Sequence, residues 1–250
     1  MTNEPFFSTR LGQFSYFAEQ IGDWSWRGKN VLDFGGNIGN ILRDPSSTIE
    51  HNRYWCLDVV KESIEKGRET YPEAHWVFYD RYCFFFNPYG KPSLPLPDMG
   101  GRFDYIVAFS VFTNTTPSDM LQLVEQLRAR TAPKGALAFT FIDPYYYSWP
   151  NKYDGDNLKW RLDLETERGH ISADRARSIA RDAAGASWFV LVNGGDLYVE
   201  SEELRSYEPE AQRTCHVFHT AGHMKTLFPE ATILPPVNDE MQHCCIIRNP

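Results

Sequence analysis

Residues 30–42 (NVLDFGGNIGNIL) run from a short apolar strand straight into a glycine-rich turn. Val31 and Leu32 supply a buried strand, Asp33 closes it, and Gly35, Gly36 and Gly39 supply the turn. A helix is expected to start on its far side. Glycine has no Cβ, so a ligand can approach the backbone closely and positive φ costs little. In open α/β sheets such turns lie at the carboxyl ends of parallel strands and form nucleotide sites.

The chain after the turn keeps to that rhythm. Strands are expected at 54–58, 75–78, 103–109 and 136–142, with helices at 61–71 and about 118–130 between them. Leu11, Phe14, Phe17 and Ile21 recur near a helical period, which predicts an amphipathic helix before the first strand, capped by Ser8 or Thr9. Alternating strands and helices mean a doubly wound, mostly parallel sheet with helices on both faces. The order breaks at 144–212. This segment holds the rings of Tyr145, Tyr146, Tyr147 and Trp149, a helix at 172–184, and a hairpin around Asn193-Gly194-Gly195. A short strand at 215–218, a helix from Thr220 to Phe228 and a final strand pair at 231–234 and 241–248 follow. At 250 residues the chain fits a single domain of residues 1–250. Within it, 1–28 forms an N-terminal helical cap and 144–212 an insertion.

The turn reads Asp-x-Gly-x-Asn-x-Gly. It lacks the lysine and Ser/Thr of a P-loop. It also misses the dinucleotide spacing, because Gly36 and Gly39 fit the last two glycines but Phe34 holds the first position. A carboxylate at Asp33 would repel a pyrophosphate and suits a cationic or amine-bearing ligand. Asp58 ends the second strand, where an acid reaches ribose hydroxyls. Asp80 ends the third, and Phe109 and Ser110 the fourth.

In that order the stations resemble the class I S-adenosylmethionine (SAM) methyltransferases. The turn is similar to their motif I, with Asn37 in place of the middle glycine; asparagine tolerates the left-handed backbone. The region 127–141 resembles their Leu-x-Pro-Gly-Gly segment, from which Lys134 departs. The resemblance covers 30–143 and resumes at 214–249. It implies a seven-stranded Rossmann-like sheet with an antiparallel terminal strand and a lid inserted after strand five. It also implies SAM held by Asp33, Gly35, Gly36, Asn37, Gly39, Asp58, Val59, Asp80, Arg81, Phe109 and Ser110, with Asp80 on the adenine amino group.

Methyl transfer needs an aligned nucleophile and, for a hydroxyl, a proton acceptor. His219, His216 and Tyr146 are the candidate catalytic residues. His216, His219 and His223 straddle a strand-to-helix change, which disfavours a metal triad, and no metal is expected. Phe14, Tyr16, Phe17, Asn114, Tyr145, Tyr147 and Trp149 are the candidate acceptor-binding residues, aromatic faces being suited to a flat or cationic substrate.

A net charge of −8 argues against a nucleic-acid partner. No apolar run is long enough to span a membrane. Five cysteines without a CxxC pair read as reduced core thiols of a cytoplasmic protein. The acceptor is then a small molecule, methylated at nitrogen or oxygen, by family habit one of secondary metabolism. The insertion serves as a substrate lid, a homodimer contact or both. A SAM-binding regulatory protein and a nicotinamide-dependent oxidoreductase are the rival readings.

Overall fold

The computed structural model describes residues 12–83, 86–146, 155–192, 195–201, 215–237 and 241–250. The expected cap at Ser8 or Thr9, the centre of the Asn-Gly-Gly turn, and Tyr147 and Trp149 lie outside them. The first part of the chain forms α1 (Gln13–Ile21), β1 (Val31–Phe34), β2 (Tyr54–Asp58), α2 (Lys61–Thr70), β3 (His75–Phe78), β4 (Phe103–Ala108), α3 (Pro117–Arg130) and β5 (Thr131–Phe141). Then come α4 (Asn157–Glu167), α5 (Ala173–Ala183), β6 (Trp188–Val192), β7 (Asp196–Val199), β8 (Cys215–His219), α6 (Ala221–Leu227), β9 (Thr232–Leu234) and β10 (His243–Arg248).

Seven strands form one sheet in the order β3-β2-β1-β4-β5-β10-β9. β10 runs antiparallel to both its neighbours, and the other described pairings are parallel. The order reverses between β1 and β4, which opens a crevice at the carboxyl ends of those strands. One sheet face packs under α1, through Phe14, Tyr16, Phe17, Trp26, Tyr54 and Tyr105. The other packs under α3 and α6, through Leu123, Val124, Leu127, Phe139, Met224 and Phe228. Each such buried ring stabilises the fold by about 2 kcal/mol.

β7, β6 and β8 make a second, antiparallel sheet. β8 pairs with β6 in this second sheet and meets the residue after β5 through the Ile142–Phe218 bridge. This sheet's core is Leu158, Leu162, Ile179, Phe189, Leu191 and Phe218. α4 has no apolar stripe to announce it. Its leucines and tryptophan alternate, while its buried stripe includes an ion pair, Arg161 Nη2 to Glu165 Oε1 at 2.7 Å.

The expected helix after the glycine turn does not form. Residues 37–46 are a run of turns and a bend. Asp44 serves α1 instead: its carboxylate accepts from the Ser15 backbone N–H at 2.9 Å, across 29 residues. This replaces the local cap, since Gly12 at the start of α1 offers no side chain.

Candidate functional site

Among the described residues a cavity of about 520 Å³ opens along the carboxyl ends of β1, β2, β4 and β5. That is within the range of ligand pockets, roughly 300–1,000 Å³. Phe34, Gly35, Asn37, Asp58, Val59 and Val60 line one part, and Phe109, Ser110, Val111 and Asn114 the centre. Arg81, Tyr82, Cys83 and Phe86 extend it past β3. Ile142, Trp160, His216, Val217, Met241 and Gln242 close the other side.

The turn is built as its composition requires, though for a partly different reason. Gly35 has φ +75°, Asn37 +53° and Gly39 +83°, so asparagine occupies the left-handed backbone at the position of the missing glycine. Gly35 faces the cavity, and a Cβ there would also lie 2.4 Å from the Val111 side chain. A Cβ on Gly36 would lie 2.5 Å from the Asp33 carboxyl. Gly36 is thus required by the protein's own packing. Gly36→Ala should cost about 2 kcal/mol, as overpacked buried sites do. Urea unfolding checks this; an unchanged midpoint would show that Asp33 can yield.

Asp33 does not reach the cavity, contrary to the expectation that it meets a cationic ligand. It is buried beneath the turn, where the Tyr54 hydroxyl donates to it at 2.8 Å. Burial pushes its pKa up to about 7, the Tyr54 bond opposes that, and the Asp58 charge adds to it. Asp58 does line the cavity. Its carboxylate accepts from the backbone N–H groups of Asn37 and Val60, both at 2.8 Å, so it ties the turn to the end of β2. Burial raises its pKa to about 6, against the pull of those N–H donors.

Asp80 points away from the cavity toward Asn87 and Lys91 and is not placed for an adenine contact. Its neighbour Arg81 lines the cavity and is buried, bonded to Asp119 at 3.0 Å, Gln122 at 2.6 Å and the Leu94 carbonyl at 2.8 Å. Ser110 adopts φ +58°. Its backbone N–H donates to Thr140 Oγ1 at 2.8 Å, and its hydroxyl accepts from the Gln242 amide. Thr140 in turn donates to Gln242 Oε1 at 2.5 Å. Asn114 Nδ2 donates to the Ser110 carbonyl at 3.1 Å, which fixes the loop at the cavity's centre.

The residues expected on the acceptor separate. Phe14, Tyr16 and Phe17 are fully buried in the core under α1, and Tyr16 donates its hydroxyl to the Gln242 carbonyl at 2.7 Å. Gln13 is the α1 residue that lines the cavity. Tyr145 donates to the Ala183 carbonyl at 2.6 Å, and Tyr146 packs edge-on against His243 at 4.6 Å; neither lines the cavity. His219 is also displaced. It is fully buried outside the cavity, its ring parallel to His223 at 5.4 Å and stacked on Trp188 at 6.3 Å. His216 is the histidine that lines the cavity. Burial, helped by the nearby Arg161 cation, lowers its pKa to about 3, so its imidazole is neutral, a hydrogen-bonding group rather than a strong base. Among the described residues no group of three or more His, Cys, Asp or Glu is placed to hold a metal, and no helix is long and apolar enough to cross a membrane.

Gln13 and Gln242 escape a reading of sequence alone. The signal they carry is weak: each is a polar residue that the fold buries, one at the start of α1 and one just before β10.

Residues 32–137 match the family model described as a methyltransferase domain. A comparison with curated proteins finds no match. Among solved structures the chain is similar to SAM-bound CalS10, an amino pentose methyltransferase from Micromonospora echinaspora, at 12% identity and TM-score 0.51, over 95% of this chain and 90% of that one. It is similar to the glycopeptide N-methyltransferase MtfA at 9% identity and TM-score 0.52, over 96% and 90% of the two chains. A SAM-dependent methyltransferase from Mesorhizobium loti gives 13% identity and TM-score 0.52, over 95% and 99%.

Proposed function

We propose that this chain, which carries a methyltransferase domain of the class I SAM-dependent family, transfers a methyl group to nitrogen or oxygen of a small-molecule acceptor. One observation carries the reading: a single cavity joins the Gly35–Asp58 region to a neutral histidine, His216, on the far side of Ser110. The residues present fit the cofactor. Asp58 offers a carboxylate for two ribose hydroxyls, Gly35 and Asn37 offer bare backbone, and Val59 and Phe109 offer apolar contacts. Bound there, SAM supplies a methyl group already activated on sulfonium sulfur. Ser110, Asn114 and Gln242 hold the centre of the cavity in one arrangement, which is how a protein places reacting groups in line.

The small-molecule reading draws on the cavity's mostly apolar surroundings and on the acceptors in the titles of CalS10 and MtfA, an amino sugar and a glycopeptide. A secondary-metabolite acceptor is the finer form of the same proposal. The second sheet, which contributes His216 and Val217 to the cavity, is its acceptor-side cover.

The test is thermal unfolding with SAM, S-adenosylhomocysteine and NAD in parallel. A ligand at 100 times its Kd adds about 2.7 kcal/mol to stability. For a domain of this size that is roughly 5–10 °C in Tm. Both sulfur nucleosides should produce the shift and NAD should not. A shift with NAD alone would overturn the proposal.

A further inference from the structure

Two carboxylates line the cavity among the described residues, Asp58 at the end of β2 and Asp119 in the first turn of α3. Asp119 Oδ1 accepts from Arg81 Nη2 at 3.0 Å, and its Oδ2 accepts from the Thr116 hydroxyl at 3.2 Å. These two bonds fix the plane of the carboxylate, and each oxygen keeps a lone pair. Arg81 is held in turn by Gln122 Oε1 at 2.6 Å and the Leu94 carbonyl at 2.8 Å. The Arg81 side chain is 4% exposed and that of Asp119 is 29% exposed, so Asp119 is the member of the pair open to a ligand. Because Arg81 balances its charge, Asp119 suits a neutral group that donates a hydrogen bond.

The topology says which group meets it. In the order β3-β2-β1-β4, the end of β2 lies between the glycine turn after β1 and the residues after β3. A ribose on Asp58 carries the methionine chain on one side and the base on the other. The chain runs over the turn toward Ser110, and the base runs past β3 toward Arg81 and Asp119. Val60 and Leu123 offer apolar contact to its ring faces. Its 6-amino group, shut away from water, needs an acceptor. Asp80 is engaged elsewhere. Its carboxylate accepts from the Asn87 amide at 3.3 Å, it lies 3.7 Å from Lys91 Nζ, and its carbonyl accepts from the Lys91 N–H at 2.8 Å. We infer that Asp119 accepts the 6-amino group of the cofactor's adenine, the contact expected of Asp80. This rests on the methyltransferase reading above. The acid has moved from a strand end to the first turn of a helix, with Arg81 holding it in place.

The test is isothermal calorimetry on the intact protein with S-adenosylhomocysteine and its 6-deamino analogue, which carries purine in place of adenine. If S-adenosylhomocysteine itself does not bind, the methyltransferase reading fails and this inference with it. Where it binds, wild type should prefer it to the analogue by at least roughly tenfold, the worth of one hydrogen bond to a charged acceptor. Equal affinities overturn the inference while leaving the cofactor result standing. Asp119→Asn can keep its amide oxygen on Arg81 and turn its NH2 toward the base. It should bring the two ligands within about threefold of each other by weakening S-adenosylhomocysteine. It should also bind the 6-oxo analogue, S-inosylhomocysteine, more tightly than wild type does, because that oxygen accepts from the new NH2. A merely structural loss would weaken all three ligands together and so overturn the inference. Asp80→Asn, at a partly exposed position, should keep the wild-type preference. A preference lost there returns the base to Asp80 and overturns the inference, whether or not Asp119→Asn folds.

Discussion

Asp58→Ala is expected to weaken SAM binding about a hundredfold, or about 2.7 kcal/mol. The carboxylate lies at the end of β2, lines the cavity, and has lone pairs to spare after accepting two backbone N–H groups. Two ribose hydroxyls donating to a charged acceptor are together worth a few kcal/mol. The loss has a second source. With the carboxylate gone, the Asn37 and Val60 N–H groups lose their partner and the turn is no longer tied to β2. The folded state should therefore also lose about 2 kcal/mol. Asp58→Asn separates the two effects, because its one side-chain oxygen can still accept from the turn. It should recover most of the stability and only part of the affinity. Calorimetry on both variants checks this, and wild-type affinity in Asp58→Ala would place the cofactor elsewhere in the cavity.

The main sheet is legible in the chain because its signals are local. The runs Tyr54–Asp58 and His75–Phe78 are bounded by polar and turn residues, and the observed strands have those bounds. Asn37 announces its left-handed backbone by residue type. What is not legible depends on a partner that local pattern does not reveal. α4 buries Arg161 against Glu165, so its inner stripe reads as surface. Asp33 looks like a ligand contact until the Tyr54 ring and Gly36 are seen to enclose it. Along β8, successive side chains take opposite faces. His216 and His219 are therefore on different sides, and the placing of the second sheet decides which one meets the cavity. The phenylalanines of α1 show the limit most clearly. Their spacing predicts the helix, but the same spacing describes a face turned to a ligand and a face turned to a sheet. The structure gives them to the sheet.

The two buried carboxylates imply a pH dependence opposite in sign to ordinary acid lability. Asp33 and Asp58 both have folded-state pKa values raised above their usual 3.8, to about 7 and about 6, chiefly by burial. The folded protein therefore binds protons more strongly than the unfolded chain between about pH 4 and 7. Where the native state binds more protons, stability falls as pH rises. The ionised carboxylates cost stability at pH 8 that they do not cost at pH 5, by a few kcal/mol at one unit per 1.36 kcal/mol. Asp33→Asn removes the larger share. Its amide oxygen can still accept from Tyr54, so the variant should gain little at pH 5 and be more stable than wild type at pH 8. Urea unfolding at the two pH values measures the difference; an equal effect at both would mean that Asp33 is ionised throughout. Ligand affinity should run the other way. Ribose hydroxyls donate to the ionised form of Asp58, so SAM should bind more tightly as pH rises from 5 to 7 and release a fraction of a proton on binding. Repeating the titration in buffers of different ionisation enthalpy reports that proton directly. Together the two trends describe a turn that the free protein holds best when neutral and that the cofactor stabilises in its charged form.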